Sequence, residues 1–317
     1  MARWLGWISA GLVVGLGVGA IYLYQTVTSL DSERVTDDVH IIVGLARGLG
    51  GNVGVLRTSK GAVVVDSMTF RIQGERIREL AERLAGGPTQ ALINTHYHVD
   101  HSHGNPGFAP GTRVVATQRT RDYLDAFDSG YWEGGAGETL PNDLFADQHE
   151  MRVGGKTIRS LHLGRGHTGG DLVVLFVEDR VLHTGDLCFN GRYPNIDLEA
   201  GGSIPAWIAT LDRVLALDFD RVIPGHGPVT DRSGILAFQG FLRELWSVGQ
   251  RAAQAGLSLE ETLAGHTLTT DEGYGVISVP LVFRLDRDFV IRRAWEEATG
   301  AVVPLDVPSS QKESKKR

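Results

Sequence analysis

Cysteine is nearly absent from this chain: Cys188 is the single one in 317 residues. That excludes an internal disulfide and any cluster of thiolate ligands, so histidine and carboxylate are the strong metal ligands available. Positive charge is scarce as well. With 31 basic residues against 38 acidic ones, a net charge of -7 and no basic run before the last few residues, the electrostatic footprint of a nucleic-acid binder is missing. Nucleic acid is therefore not an expected partner. No low-complexity linker divides the chain, and residues 37–300 read as one domain with enough apolar content to bury a full core.

Charge is missing altogether between Trp4 and Leu30, and residues 4–24 are strongly apolar. That is about the 20 residues needed to cross a bilayer. Trp4 and Trp7 at one end and Tyr22 and Tyr24 at the other resemble interfacial belts. Residues 1–30 are accordingly expected to be a transmembrane anchor, with a cleaved signal ending near Val18-Gly19-Ala20 as the alternative. Arg3 before the span and the acidic stretch Asp31 to Asp38 after it place the body of the protein outside the cytoplasm. At the other end residues 305–317, closing on "SSQKESKKR", read as a disordered basic tail.

The body alternates strand-like and helix-like segments. "VHIIVGLA", "NVGVLRTS" and "GAVVVDS" are short Val- and Ile-rich runs divided by glycine and Ser-Lys-Gly turn signals, as in neighbouring antiparallel strands. Ile72, Ile77, Leu80, Ala81 and Leu84 recur at helical spacing up to the stop signal Gly86-Gly87-Pro88. "ALINT" and "TRVVAT" follow as strands and "QRTRDYLDAF" as a helix, ahead of a glycine-rich loop from Asp128 to Asp143. A second series begins near Met151: strands "KTIRSLHL", "DLVVLFVE" and "RVLHTG", helix "PAWIATLDRVLAL" and strand "DRVIPG". Two such halves predict two sheets packed face to face with helices outside. Past Thr230 the pattern is helical: Gly234 to Ala255, a short helix opened by the Ser258 to Glu261 capping box, and Leu281 to Ala298.

Chemistry concentrates in "NTHYHVDHSHGN", Asn94 to Asn105, with four histidines and an aspartate. Side chains two residues apart in extended chain point the same way, so His96 and His98 can share one ion while Asp100 and His101 reach an adjacent volume. A catalytic ion needs three protein ligands and an open position, and two from this stretch are too few. Three glycine-embedded segments at strand ends supply more: "GRGHTGGD" with His167, "LHTGDL" with Asp186 and "IPGHGP" with His226. The expected sets are His96, His98 and His167 for one ion, Asp100, His101 and His226 for a second, and Asp186 bridging both.

Taken together, "HYHVDH", "GHTGGD", "TGD" and "PGHG", in this order and after "GGNVGVL…VVVDS", resemble the metallo-β-lactamase superfamily over roughly Val39 to Val229. The resemblance implies an α/β fold, a four-layer αβ/βα sandwich with the metals at one edge of the sheets, here with extra C-terminal helices. A hydroxide bridging two Zn²⁺ ions would be a nucleophile at neutral pH, because the metal lowers the pKa of bound water from 15.7 to about 7. It would attack a carbonyl or phosphoryl centre, with Asp100 as the catalytic residue that orients it and carries a proton to the leaving group. Flavodiiron members carry glutamate where His98 stands. The largest subgroup of zinc β-lactamases carries cysteine where Asp186 stands; aspartate there is similar to glyoxalase II-like thioesterases and lactonases.

The expected activity is hydrolysis of a small ester, thioester, lactone or related small-molecule carbonyl substrate. Alternatives are β-lactam or phosphodiester cleavage at the same site, a mononuclear iron oxygenase resembling persulfide dioxygenases, and a non-catalytic metal binder; Fe²⁺ and Mn²⁺ are the alternative ions. His103 and His183 are expected beside the metals rather than on them. Tyr193, with Tyr131 and Trp132, is a candidate pocket wall, and Cys188 reads as buried and inert.

Overall fold

Every residue of the strand Gly61–Val65 is buried, although its side chains alternate between two faces. A strand apolar on both faces needs cover on both. Val63 and Val65 pack with Val174 and Phe176 in a core between two sheets, whereas Ala62 and Val64 pack with Ile77 and Ala81 of a helix on the other side.

The computed structural model describes residues 24–44, 50–279 and 281–307. The first sheet contains β1 (Leu30–Arg34), β2 (Val39–Gly44), β3 (Val53–Thr58), β4 (Gly61–Val65), β5 (Thr89–Ile93), β6 (Val114–Thr117) and β7 (Asp143–Phe145) in chain order. Its strands are antiparallel up to β4 and parallel from β4 to β7. The second sheet has the order β12-β11-β10-β9-β8, built from β8 (Gln148–Val153), β9 (Lys156–Leu161), β10 (Val173–Phe176), β11 (Val181–Phe189) and β12 (Arg221–His226). Only β11 and β12 run parallel in it.

Helix α1 (Arg71–Ala85) covers the first sheet and ends where Gly86 turns left-handed. A single turn, α2 (Val99–Ser102), follows the loop after β5, and α3 (Gln118–Phe127) joins β6 to β7. The far face of the second sheet is covered by α4 (Ile204–Leu215), α5 (Arg232–Ala255) and α7 (Arg287–Thr299), with α6 (Leu259–Gly265) between the last two. The capping box at Ser258 and Glu261 opens α6. Helix, sheet, sheet and helices make the four-layer αβ/βα sandwich expected from the motifs.

One expected element is divided. Residues 281–298 do not form a single helix: β13 (Ile277–Val279) pairs antiparallel with β14 (Phe283–Leu285), and α7 begins only at Arg287. Asp286 sets that start by accepting the Phe289 backbone N–H at 3.1 Å, while Phe283-Arg284-Leu285 before it takes the strand form that an aromatic side chain favours. The anchor or signal segment expected at residues 1–30 lies outside the described residues as far as residue 23, and the tail lies outside them from residue 308. Among the described residues no helix is long and apolar enough to cross a membrane.

Phe176 is fully buried at the centre of the inter-sheet core. Phe176→Ala should cost about 3–5 kcal/mol, read from the urea midpoint at fixed metal concentration. A loss below about 1 kcal/mol would show that the two sheets do not depend on this contact.

Candidate metal centre

Loops and strand ends from both sheets converge on one volume. The chain leaving β5 carries His96 and His98, and α2 carries Asp100 and His101. His167 lies between β9 and β10, Asp186 within β11, and His226 at the end of β12. Gly185, with φ of 48°, marks a register shift in β11 that aims Asp186 out of the regular ladder. Gly225 makes room for it: a Cβ there would stand 2.0 Å from Asp186 Oδ1.

All seven expected ligand side chains come together. His96, His98, His167 and Asp186 each offer a ligand atom within 4.8 Å of the others, and so do Asp100, His101 and His226. Asp186 faces both groups. Its Oδ1 is 3.1 Å from His101 Nε2, and its Oδ2 is 3.4 Å from His167 Nε2, 3.5 Å from His226 Nε2 and 3.9 Å from His96 Nε2.

These atoms converge without satisfying one another. His96 Nε2, His101 Nε2 and Asp186 Oδ1 are buried and make no hydrogen bond. Orphaned polar atoms in a protein interior are costly, and several aimed at one volume fit a bound cation. The far side of each imidazole explains why the inner nitrogens are free. His167 Nδ1 donates to the Asn195 carbonyl at 2.9 Å, His98 Nε2 to Asp197 at 2.8 Å and His101 Nδ1 to Asp66 at 2.8 Å. Thr95 Oγ1 gives its own proton to Asp66 and therefore accepts that of His96 Nδ1, 3.0 Å away. With the outer nitrogens so engaged, the inner nitrogens of these four rings face one volume; His98 Nδ1 and His167 Nε2 are 2.7 Å apart, a contact that needs a proton or a metal ion between them.

Burial keeps His96 and His167 neutral, pushing the first well below the ordinary histidine range and the second down to about 4. Burial also opposes charge on His226, but Asp186 and Asp100 outweigh it and lift that imidazole to about 9. A metal arriving beside His226 thus displaces a proton. Asp186 is ionised, since His101 and His226 hold it well below the carboxylate range against its own burial.

Asp66 and Asp197 were not singled out from the sequence. Asp66 is fully buried at the end of β4 and accepts from Thr95 N–H, Thr95 Oγ1 and His101 Nδ1. A charged residue closing the apolar run "VVVD" was the available signal. Asp197 binds His98 and the Tyr97 hydroxyl from a loop whose shape no pattern specifies.

Other candidates stand apart from the ligand cluster. His103 stacks on Tyr131 at 3.8 Å, with Trp132 edge-on to it, so both aromatics anchor the 128–143 segment instead of walling a pocket. That segment contains a 3-10 stretch, Gly134–Thr139, and reaches the cavity over the metal site only through Asp128. His183 packs between the sheets, its Nδ1 accepting the Gly185 N–H, and burial pushes it down to about 4. Tyr193 does not line the cavity either; its hydroxyl donates to Asp271 at 2.7 Å. Cys188 is fully buried and pushed up to about 12 by burial, which keeps the thiol protonated.

Asp66→Asn removes the charge behind His101 and Thr95 with little change of shape. The variant should keep its far-UV spectrum and lose about 10–100-fold in Zn²⁺ affinity, measured by competition with a chromophoric chelator. Unchanged affinity would remove Asp66 from the support of the site.

The chain is similar in sequence and fold to known proteins. A model described as the metallo-beta-lactamase superfamily matches residues 46–226. Metallo-beta-lactamase type 2 of Bacillus cereus is 27% identical over 254 residues, covering 72% of this chain and 95% of that protein. The linear primary-alkylsulfatase of Pseudomonas sp. (strain ATCC 19151) is 22% identical over 280 residues, covering 70% of this chain and 53% of that protein. Among solved structures, a metallo-beta-lactamase from Pontibacter korlensis aligns with a TM-score of 0.58 at 22% identity, over 68% of this chain and 99% of its own. The sec-alkylsulfatase Pisa1 from Pseudomonas sp. aligns with a TM-score of 0.61 at 17% identity, over 86% of this chain and 51% of its own. Since the family match spans more than half of its length, this chain belongs to the metallo-beta-lactamase superfamily.

Proposed function

We propose that the protein is a dinuclear zinc hydrolase acting on an ester, thioester or lactone carbonyl. The observation that carries the reading is Asp186: one buried carboxylate faces His101 through one oxygen and His96, His167 and His226 through the other. That arrangement suits a ligand shared between two ions. Imidazole and carboxylate donors without thiolate suit zinc, and they also accommodate Fe²⁺ or Mn²⁺. When bound, such ions supply a water activated at neutral pH and a Lewis acid for the carbonyl oxygen.

The protein's own contribution is placement and proton handling. His96, His98 and His167 would hold one ion, and Asp100, His101 and His226 the other. Asp100 lines the cavity and its Oδ2 lies 3.3 Å from His226 Nε2, so it can orient the attacking water and pass a proton to the leaving group. Asp66, Thr95 and Asp197 keep the imidazoles from turning.

β-Lactam opening is the second reading, supported by the similarity to type 2 metallo-beta-lactamases and weakened by aspartate at position 186. The apolar residues 4–24, with Arg3 before them, support a membrane-anchored or exported enzyme whose catalytic domain lies outside the cytoplasm.

Purified protein should contain two zinc ions per chain by elemental analysis, and should hydrolyse members of a panel of lactones, thioesters and 4-nitrophenyl esters. Chelation should abolish turnover and added Zn²⁺ restore it. Asp186→Asn should lower kcat/KM roughly a hundredfold or more with the fold intact, at or beyond the upper end of what loss of an outer partner does. Full activity in that variant would sink the dinuclear reading; a single iron and O₂ consumption would replace it with an oxygenase.

A further inference from the structure

The ligand cluster opens into a cavity of about 630 Å³, whose wall includes His98, Asp100, Asp186 and His226. Away from those residues the wall is mostly apolar, with Thr69, Asp128 and Asn195 among its polar members. Phe70, before α1, stands on one side, and Ile277, Val279, Phe283 and Leu285 of the β13–β14 hairpin, with Phe289 of α7, stand on another. Hairpin and helix lie beyond residue 226, where the family match ends, whereas Phe70 lies within it.

The wall is anchored, yet left uncovered. Asp271, itself buried, receives both the Arg287 guanidinium at 2.8 Å and the Tyr193 hydroxyl at 2.7 Å. Gly275 bonds to the backbone of Gly191 and Tyr193, which ties the start of the hairpin to the loop following Asp186. Against that fixed frame Phe70 is 43% exposed, Phe283 42% and Val99 42%, and all three line the cavity. Large apolar side chains held open around a catalytic-type site are covered by what binds there.

Charge in the cavity narrows what that is. Among the described residues no lysine or arginine lines it, and Asp128 adds a carboxylate to those of Asp100 and Asp186. A basic side chain, Arg192, appears only in the smaller cavity of about 310 Å³, which shares His226 and Ile277 with the larger one. Bound ions would offset the ligand carboxylates of Asp100 and Asp186; Asp128 remains as a negative charge on the wall and disfavours an anionic arm, and a volume of this size accommodates a drug-sized ligand.

We infer that the substrate carries a neutral apolar arm, a medium-length acyl or alkyl chain, which lies between Phe70 and the 277–285 hairpin while its reacting carbonyl meets the ligand cluster. This rests on the hydrolase reading for the reaction and on the cavity alone for the arm. Phe283 and Phe70 are specificity-determining contacts, on opposite elements and exposed enough for truncation to spare the fold.

The test uses 4-nitrophenyl acetate, butyrate, hexanoate and octanoate with the zinc-loaded protein. kcat/KM should rise about threefold to fourfold for each methylene buried, until the arm fills the cavity. The octanoate-to-acetate ratio should fall about tenfold in Phe283→Ala and in Phe70→Ala, the loss of roughly two methylenes of burial. It should stay at the wild-type value in Val282→Ala, on the same hairpin but outside the cavity wall. Calorimetry with 1-octanol and 1-butanol reads the arm without turnover: octanol should bind the wild type and bind about tenfold more weakly to Phe283→Ala. Octanol binding without ester hydrolysis keeps the arm and overturns the carbonyl hydrolase. Ester hydrolysis with no chain-length preference and no octanol binding overturns the arm and leaves the hydrolase standing. A preference that survives both phenylalanine substitutions also overturns it.

Discussion

Electron-rich atoms crowded around Asp186 impose the constraint on which this structure turns. Five imidazoles and two carboxylates present ligand atoms to one small volume, and three buried ones, His96 Nε2, His101 Nε2 and Asp186 Oδ1, make no hydrogen bond there. Left to local preferences these side chains would spread apart or turn toward protons. They stay because β-strands on both sides of the inter-sheet core end at the same edge, and because that core makes rearrangement costly. The energy to hold an unsatisfied polar cluster comes from apolar packing several residues away.

Behind the ligands stands a set of proton acceptors. Asp66 ties β4 to the loop after β5 through the Thr95 backbone and hydroxyl, and it orients His101 with the same carboxylate. The Asn195 carbonyl and Asp197 do the same for His167 and His98 from the loop after β11. Tautomer and direction of each ring are thus settled by groups that never touch the cluster's centre. Glycine supplies what side chains cannot: Gly225 lets Asp186 Oδ1 approach the backbone of β12.

The C-terminal elements act at a different level. They complete the cover of the second sheet through α5 and α7, and the same stretch of chain bends back to the mouth of the site as the β13–β14 hairpin. The Tyr193–Asp271–Arg287 network joins the two roles, since it fixes the hairpin to the loop that also holds His98 and His167 in place. The ligand cluster and much of the apolar cavity wall therefore come from separate parts of the chain that meet at one cavity.

Spacing and composition pointed to two packed sheets and singled out the seven ligand-type residues, while the four-layer arrangement was implied by the resemblance that the motifs carry. Histidine and aspartate beside glycine at strand ends are local features, and Val- and Ile-rich runs betray strands buried on both faces. The division of residues 281–298 into strand and helix hinged on Asp286, a local cap outweighed in the pattern by the apolar run around it. Contacts between distant segments decided the rest: Asp66 beneath His101, Asp197 behind His98, Tyr193 on Asp271 instead of in the cavity wall, and His103 against Tyr131. None of these pairs shares a periodicity or a motif, because side-chain partners brought together by folding are set by where strands end and loops return, which only the packed sheets determine.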